Sequence, residues 1–540
     1  MDAECVRLGG AERLIVDAAL ALQTSGHTVD IYTSHHDPRR CFVETKDGTL
    51  NVIVVGNRIP RHILGKGHIL FSTLRNLAAA RFIVANYGRT LGRNDKRRVR
   101  NGEYDVIVVD QLSTSIPLLA ATPARILFYG HFPDLLLTQR RSWIKRLYRM
   151  PFDWLEGFTT SCSDKIVVNS KFTKNQFFKT FPVLEQLNAN LEVLYPSINF
   201  DKYDTNTDYR ELRAKAIMDS WSWFSKSWSP ADATKAIVSA LKDKREDTDD
   251  IPVSTAVFVS INRYERKKNI GLAISAYAIL CKNLEASREK DAQYGYTSAK
   301  LIVAGGYDPK LAENVSYYKE LIDHATSLGL KVSYFPIIRG DVIFMRDFTE
   351  AQRSALLRRA QAVIYTPENE HFGIVPIEAM YSGVPVIACA SGGPLETVKP
   401  DGETGYLCEP TPLAFSEAML SIMNMSKLGE ARGASAYLEP WIQRERQLAE
   451  RARHRVVSLF DTELFRLQLD THVKNTYTLV DFDQPSGHSA RITKLRSVMK
   501  RLGSTPQARL TKITGATLVA VVLFVVIMWK TVRALQSLRG

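Results

Sequence analysis

Two carboxylates stand close together in the sequence ENEHFGIVPIEAM, residues 368–380. Glu370 and Glu378 are eight positions apart, with one glycine and five apolar residues between them. Such a pair could accept hydrogen bonds from both ends of one polar ligand, or could lie at the two ends of a short helix. Because this spacing arises by chance about once in a chain of this length, the pair needs support from other residues.

A cluster of cations supplies part of that support. The sequence SINRYERKKN, residues 260–269, follows an apolar segment and contains Arg263, Arg266, Lys267 and Lys268. Arginine and lysine at the carboxyl end of a strand are well placed to bind a diphosphate. The same composition also fits a solvent-exposed basic turn, so the cluster alone leaves both interpretations open.

Two glycine pairs occupy positions where a backbone could approach a phosphate. Gly9 and Gly10 open the sequence GGAERL directly before an amphipathic segment, and a second pair lies in SGGPLE, residues 391–396. Glycine permits close backbone approach, and the first N–H groups of a helix attract anions. A glycine pair is a weak signal by itself, and only its place among the other motifs gives it weight.

One histidine follows a predicted strand. His131 lies in YGHFPDLLL, residues 129–137, with Asp134 nearby. Ligands of open α/β sheets bind at the carboxyl ends of the strands, which makes His131 a candidate site residue. A lone histidine is more often structural, so the position is open to both interpretations.

The bulk composition indicates a globular protein with an anionic partner. The 540 residues are 45% hydrophobic and carry a formal net charge of +14, which predicts more than one domain and favours a nucleotide, a membrane surface or a nucleic acid. The six cysteines lie far apart without a Cys-x-x-Cys motif, which argues against a disulfide framework and a zinc site. No nucleic-acid-binding motif accompanies the charge.

The order of segments predicts two α/β domains. Short Val- and Ile-rich runs alternate with amphipathic segments over residues 1–200 and again over 251–430, a pattern typical of doubly wound parallel sheets with a cleft between them. Residues 203–250 are highly charged and indicate a linker or insertion. Residues 431–512 are predicted to be a helical, basic region next to a membrane, followed by the segment 513–529.

That last segment is predicted to be a transmembrane helix. Residues 513–529 form a run of 17 residues without a charge, near the lower length limit for spanning a bilayer. Residues 491–512 carry seven Lys and Arg, against three in 530–540. The positive-inside rule then places the large N-terminal part in the cytosol.

Taken in order, these motifs resemble a known family. A glycine pair, a strand-end histidine, a basic strand-end cluster, Glu-x7-Glu and Gly-Gly-Pro in two α/β halves resemble the retaining GT-B glycosyltransferases of family 4, over roughly 9–200 and 253–430. Within it, GGAERL, HFPDLLL, SINRYERKKN and YTPENEHFGIVPIEAM are similar to the alpha-1,3/1,6-mannosyltransferases of dolichol-linked oligosaccharide synthesis.

The resemblance implies a reaction and its setting. Mannose would be transferred with retention from GDP-mannose to dolichol-diphosphate-linked Man1GlcNAc2 in α-1,3 linkage, and then to Man2GlcNAc2 in α-1,6 linkage. This early step of N-glycan precursor assembly would take place at the endoplasmic reticulum membrane, with cytosolic catalytic domains. It would need no metal or other cofactor, and other mannosyltransferases of the pathway would be potential partners.

The resemblance also implies roles for the two carboxylates, Glu370 and Glu378. Glu378 would bind the ribose hydroxyls of the nucleotide, and Glu370 would face the donor sugar as a catalytic residue. Between them, the backbone N–H groups of Phe372, Gly373 and Ile374 would contact sugar hydroxyls and phosphate.

The cations and glycines receive roles in the same way. Arg263 and Lys268 would bind the diphosphate and offset the charge that builds up on the GDP leaving group. Gly9 and Gly10 would approach the donor phosphate. His131 would lie beside the reacting sugar.

Three alternatives stay open at this point. The first is a sister enzyme of the same fold, such as a later α-1,2-mannosyltransferase or the GlcNAc transferase of GPI-anchor synthesis. The second is a non-catalytic nucleotide-binding subunit, against which Arg263, Lys268, Glu370 and Glu378 count. The third, a nucleic-acid binder, is supported by charge alone, so no nucleic acid is expected as a partner.

Two stretches depart from the family pattern. The family begins with an apolar strand before its glycine pair, whereas MDAECVRL, residues 1–8, makes a poor central strand. We therefore expect an additional apolar strand upstream in the native protein. Residues 331–341, KVSYFPIIRGD, interrupt a helix-to-strand passage and are predicted to be an insertion.

Overall fold

A computed structural model gives the fold. It describes the residues 10–37, 41–62, 68–87, 104–137, 152–153, 155–187, 189–198, 255–288, 298–400, 402–425 and 438–478. The chain divides into two compact units. Unit 1 combines Met1–Ser197 with Thr462–Gly540, and unit 2 is Ile198–Asp461.

Thirteen strands lie in the described residues. They are β1 (Asp30–Thr33), β2 (Asn51–Val54), β3 (Val106–Asp110), β4 (Arg125–Gly130), β5 (Lys165–Val168), β6 (Leu191–Val193), β7 (Thr255–Ile261), β8 (Ser298–Gly305), β9 (Val332–Tyr334), β10 (Val342–Arg346), β11 (Ala362–Tyr365), β12 (Val386–Cys389) and β13 (Gly405–Cys408). Every strand pair among them is parallel.

The principal described helices are α1 (Gly10–Thr24), α2 (His68–Asn86), α3 (Ile116–Leu119), α4 (Asp134–Leu137), α5 (Lys171–Thr180), α6 (Pro182–Gln186), α7 (Ile270–Arg288), α8 (Ala312–Ser327), α9 (Glu350–Arg359), α10 (Ile374–Tyr381), α11 (Pro394–Thr397), α12 (Pro412–Met425), α13 (Leu438–Phe460) and α14 (Thr462–Tyr477). Among the described residues, no helix combines the length and apolar character needed to cross a bilayer. The predicted transmembrane segment 513–529 and the charged segment 203–250 lie outside the described residues.

The described residues of unit 1 form two separate parallel sheets. Strands β3, β4, β5 and β6 form one in that order, and β1 and β2 form the other. The strand β4 is buried almost throughout because its sequence RILFYG is apolar on both faces, as a strand covered by helices on both sides requires. On one face α1 packs against α14, where His27 Nε2 lies 2.7 Å from the Asp470 carboxylate.

In the part of unit 2 that the structure describes, seven parallel strands form one sheet in the order β13-β12-β11-β7-β8-β10-β9. The first strand of the unit, β7, is buried over its full length and has β8 on one side and β11 on the other. Chain order therefore reverses between β7 and β11, which is where ligands bind in open α/β sheets. The loops after these two strands carry the basic cluster and Glu370.

The predicted insertion is an edge feature of this sheet. Its residues Val332–Tyr334 form β9, which pairs with β10 in parallel. The N–H groups of Asp341 and Val342 both donate to the Lys331 carbonyl, at 2.7 and 3.1 Å. The two ends of the segment 331–341 therefore lie next to each other.

Candidate active site

The cationic loop after β7 is held from two sides. Tyr264 is fully buried, and its hydroxyl donates to the carbonyls of Val303 and Met345, at 2.9 and 3.1 Å. Thr366, directly after β11, donates from its hydroxyl to the Lys268 carbonyl at 2.8 Å. Because these contacts fix the backbone on both sides of the switch point, Lys268 has a defined position.

Lys268 and Glu370 form an ion pair across the switch point. The Lys268 ammonium donates to the Glu370 carboxylate, and both side chains are largely buried. Burial opposes ionisation of Glu370, but the charge and hydrogen bond of Lys268 outweigh it and hold the pKa of Glu370 below its usual value. The Glu370 carboxylate is therefore ionised at neutral pH and lies directly beside the Lys268 side chain.

Tyr365 links the two predicted carboxylates. It is the last residue of β11 and is almost fully buried. Burial first, and then the neighbouring Glu370 and Glu378 carboxylates, raise the pKa of Tyr365 well above its usual value. Its hydroxyl consequently stays protonated beside the Glu370 carboxylate.

Glu378 is buried inside α10 with one partner. Its Oε1 accepts from Arg353 Nη1 at 2.7 Å, and its side chain is 7% exposed. The other oxygen, Oε2, is buried and accepts no hydrogen bond within the described part of the chain. Since an unpaired buried carboxylate oxygen is costly, Oε2 is a candidate acceptor for a ligand hydroxyl, and Arg353 holds the other oxygen in place.

The start of α10 presents free backbone donors. Gly373 has a φ of +91°, a conformation that favours glycine, and precedes Ile374, the first residue of the helix. The N–H groups of Gly373, Ile374 and Val375 have no partner among the described residues, as expected for the first turn of a helix. Such N–H groups and the helix dipole favour an anion or polar hydroxyls.

The second glycine pair supports this loop. A Cβ on Gly392 would lie 2.5 Å from the Glu370 carbonyl oxygen, and one on Gly393 would lie 2.3 Å from the Phe372 carbonyl oxygen. The Gly393 N–H donates to the Glu370 carbonyl at 2.7 Å. Both glycines therefore permit close packing against the loop that carries Glu370.

Arg263 is not brought to this group. Its guanidinium lies 3.0 Å from the Glu265 carboxylate, and its side chain is 59% exposed. Arg263 lies on the same loop after β7 as Lys268, which is the strand-end position that the sequence predicted. Its charge nevertheless points to Glu265 in this structure.

The candidate histidine belongs to unit 1. His131 follows β4, and its Nε2 lies 2.8 Å from Oδ1 of Asp110, the last residue of β3. Burial lowers the pKa of His131, but the Asp110 carboxylate outweighs it and, with a smaller contribution from Glu12, raises the pKa above its usual value. Asp110 therefore fixes the ring and favours the protonated form.

The backbone around His131 is fixed as well. The Gln111 side chain accepts from the His131 N–H at 3.1 Å, and the Asn169 side chain donates to the His131 carbonyl at 2.9 Å. Glu156 accepts the N–H groups of Asp134 and Leu135, at 2.6 and 3.0 Å, which caps the short helix α4. Of the predicted glycine pair, Gly10 is the first residue of α1, and Gly9 lies outside the described residues.

Solved structures share this fold. A sucrose-phosphate synthase from Thermosynechococcus elongatus matches with a TM-score of 0.56 and 18% identity, over 87% of this chain and 94% of that chain. A glycosyltransferase from Rickettsia africae matches with a TM-score of 0.55 and 17% identity, over 87% and 96%. At these identities the match shows the fold alone.

Sequence comparison gives the family. The family model Glycosyltransferase Family 4 matches residues 8–202, and Glycosyl transferases group 1 matches 242–439. The chain is 42% identical to the alpha-1,3/1,6-mannosyltransferase ALG2 of Dictyostelium discoideum, over 77% of this chain and 87% of the relative. It is 38% identical to that of Homo sapiens, over 86% and 93%.

The chain belongs to the alpha-1,3/1,6-mannosyltransferase ALG2 family. It is a glycosyltransferase with the GT-B fold and two Rossmann-like α/β domains, so the resemblance, the enzyme class and this part of the fold prediction are confirmed.

Three side chains of this ALG2 family member were missed by the sequence analysis. Asp110 and Tyr365 each end a strand, a position that could have singled them out. Arg353 lies on α9 among other polar residues, and nothing in its local pattern marks it as the partner of Glu378.

Proposed function

We propose that this chain transfers mannose from GDP-mannose to dolichol-diphosphate-linked Man1GlcNAc2 in α-1,3 linkage, and then to Man2GlcNAc2 in α-1,6 linkage, with retention. The names of the relatives support the two linkages. The observation that carries the proposal is the Lys268–Glu370 ion pair at the switch point of unit 2, beside the free N–H groups that begin α10.

In this proposal, unit 2 binds the donor. Lys268 contacts the diphosphate, joined by Arg263 when its side chain turns from Glu265. The free N–H groups at the start of α10 and the Glu370 carboxylate contact sugar hydroxyls, and Glu378 Oε2 accepts from the ribose. A cation fixed beside the leaving group stabilises the charge that develops on GDP, so the chemistry needs no metal.

The proposed chemical step is same-face displacement. The bond between mannose C1 and the phosphate oxygen of GDP breaks, and a bond forms between C1 and the acceptor hydroxyl oxygen. The acceptor proton passes to the departing phosphate oxygen. A double displacement through a carboxylate is the alternative, and it would place a transient covalent mannose on the enzyme.

The two carboxylates are predicted to respond differently to neutralisation. Glu378→Gln should weaken GDP binding, since its ribose contact exists in the ground state. Glu370→Gln should leave GDP affinity nearly unchanged and lower turnover, because it faces the sugar and GDP carries none. Calorimetry with GDP, together with steady-state kinetics, measures both effects. Equal losses of GDP affinity in the two variants would contradict this division.

A pH-dependent prediction concerns His131. Because folding raises its pKa, the His131–Asp110 contact contributes stability that is fully present below about pH 6.5 and is lost as pH rises through the folded value. In Asp110→Asn this contribution should disappear. Thermal unfolding between about pH 5 and pH 8 measures it, with the exposed Asp105→Asn as control. An unchanged pH dependence in Asp110→Asn would contradict the coupling.

We further propose that the protein acts at the endoplasmic reticulum membrane with cytosolic catalytic domains. The lipid-linked acceptor of the proposed reaction requires a membrane, and the uncharged run 513–529 with its unequal basic flanks supports this orientation. Protease added to sealed microsomes should digest both units. Protection of the units would reverse the orientation.

The reaction itself has a direct test. Purified protein is incubated with GDP-[14C]mannose and dolichol-diphosphate-linked Man1GlcNAc2, with Glu370→Gln as the matched control. We expect two labelled products that carry one and two additional mannoses and are sensitive to linkage-specific mannosidases. Transfer to a later oligosaccharide only, or of GlcNAc from its nucleotide to phosphatidylinositol, would identify a sister enzyme. Absence of any transfer with intact GDP binding would favour a non-catalytic subunit.

A further inference from the structure

Four consecutive residues at the edge of the unit 2 sheet are exposed, and all four carry aromatic or apolar side chains. Tyr334 ends β9, and Phe335, Pro336 and Ile337 follow it. Tyr334, Phe335 and Ile337 are 49%, 41% and 61% exposed. We refer to these four residues as the edge patch. Single exposed apolar residues are ordinary on a protein surface, whereas a contiguous group of them indicates a binding surface.

The backbone of the edge patch is held by hydrogen bonds. The Phe335 N–H donates to the Phe344 carbonyl of β10 at 3.0 Å, and the Ile337 N–H donates to the Tyr334 carbonyl at 2.8 Å. Tyr334 is the register partner of Phe344, so their side chains lie on one face of the sheet. On that face Phe344 packs against Tyr318, with ring centres 5.5 Å apart. The exposed side chains therefore extend from an ordered turn.

Three cations flank the edge patch. Lys331 and Arg339 precede and follow it within the segment 331–341, and Arg346 ends β10. All three are exposed, and none of their side chains forms an ion pair with another described residue. The Arg346 guanidinium lies instead over two tyrosine rings, 4.9 and 5.3 Å from their centres. The acidic residue of the segment, Asp341, accepts the backbone N–H of Lys331 at 2.8 Å.

A peptide strand and a second copy of the chain both fit this surface poorly. β9 contains only three residues, Val332–Tyr334, and the turn directly after it leaves an added strand few backbone groups to pair with. In a symmetric dimer the patch would meet itself. The cations Lys331 and Arg339 of both copies would then surround one interface, and like charges in contact are unfavourable.

We propose that the edge patch contacts an anionic lipid surface. Apolar and aromatic side chains such as Phe335 and Ile337 insert at the boundary between headgroups and acyl chains, and tyrosine favours the headgroup level. Lys331 and Arg339 then lie among the anionic headgroups, where basic residues are attracted. An apolar centre with a cationic rim matches this surface in both polarity and charge. The contact goes beyond the proposed reaction, since it needs neither the donor nor the acceptor.

The edge patch lies apart from the candidate active site. Strands β10 and β8 separate β9 from β7, which corresponds to about 14 Å at the usual spacing of strands. A lipid contact at β9 therefore leaves the loops after β7 and β11 uncovered. Lipid contact and donor binding can consequently be measured independently.

Photo-crosslinking tests the contact at a single position. In the full chain, Ile337 is replaced by p-benzoylphenylalanine, and Leu413 receives the same replacement in the matched control. Leu413 is 57% exposed at the start of α12, which contacts β13 at the opposite edge of the sheet. Each protein is irradiated with phosphatidylcholine vesicles that contain or lack phosphatidylserine as one lipid in five. Mass spectrometry then measures the lipid adduct at each position, so lipid contacts elsewhere in the chain do not mask the result.

The adduct should depend on both position and charge. With anionic vesicles we expect at least about tenfold more lipid adduct at position 337 than at position 413, because only the former carries the cationic rim. The variant Lys331→Ala/Arg339→Ala should lower the adduct at position 337 by about 10- to 30-fold, since each basic residue at an anionic surface changes binding by about fivefold. Neither measurement depends on mannose transfer.

Three results would overturn the proposal. The first is an equal lipid adduct at positions 337 and 413. The second is an equal adduct at position 337 in neutral and anionic vesicles, which would remove the contribution of the cations. The third is found by irradiating microsomes: cross-linking of position 337 to a second copy or to another protein, in place of lipid, would assign the edge patch to a protein interface.

Discussion

Replacing Lys268 with alanine is expected to lower kcat/KM for mannose transfer by about 30- to 1,000-fold, or about 2–4 kcal/mol. The reason is the position of the ammonium group, which is largely buried against Glu370 at the switch point. Its loss removes the fixed cation proposed for the leaving group and leaves the Glu370 carboxylate without its counter-charge. Steady-state kinetics with GDP-mannose measure the effect.

The adjacent lysine provides a matched control. Lys267 lies on the same turn, is 64% exposed and pairs with Glu265. Lys267→Ala should change kcat/KM by less than about threefold, since exposed ion pairs contribute little. Near-normal kcat/KM in Lys268→Ala, or equal losses in the two variants, would remove Lys268 from the proposed site.

The second large effect is expected at Arg353. Replacing it with alanine should lower the free energy of unfolding of unit 2 by about 3 kcal/mol, because removing one partner of a buried ion pair leaves an uncompensated charge. Arg353 is the hydrogen-bond partner of the buried Glu378 carboxylate. GDP affinity should fall as well, since Glu378 loses its fixed orientation. Denaturant unfolding and calorimetry measure the two changes.

Two further variants separate this interaction from general damage to α9. Arg358→Ala removes an exposed cation from the last turn of the same helix and should change stability by less than about 0.5 kcal/mol. The double variant Arg353→Ala/Glu378→Gln should regain part of the lost stability, because no buried carboxylate is then left unpaired. A double variant as unstable as the sum of the single variants would contradict the coupling.

The sequence was sufficient for the parts of the site that follow strand ends. Lys268 and Glu370 are 102 residues apart, yet the alternation of strands and helices predicts that the ends of β7 and β11 meet at one edge. The structure places the two side chains in contact. Parallel strands leave few choices for where their carboxyl ends lie, so this edge of the sheet follows from the order of the elements.

Contacts that depend on helix rotation could not be predicted in this way. Arg353 reaches Glu378 because α9 presents that side chain toward α10. Its sequence neighbours Gln352 and Ser354 are polar as well, so the local pattern gives no sign of this orientation. The orientation of the Arg263 side chain is also set locally, because its guanidinium pairs with Glu265 two positions away. Side-chain choices among nearby partners are decided by packing rather than by sequence spacing.

The predicted insertion at residues 331–341 lies at a position where the chain can tolerate changes in length. Its two ends are already hydrogen-bonded to each other at Lys331 and Asp341, so closing this loop requires no movement of α8 or β10. The entropic cost of a loop rises only slowly with its length, and an insertion at such a closed junction adds an edge strand without altering the order of the strands behind it. The position is therefore one where genes can gain or lose a short stretch of coding sequence while the seven-stranded sheet of unit 2 keeps its arrangement.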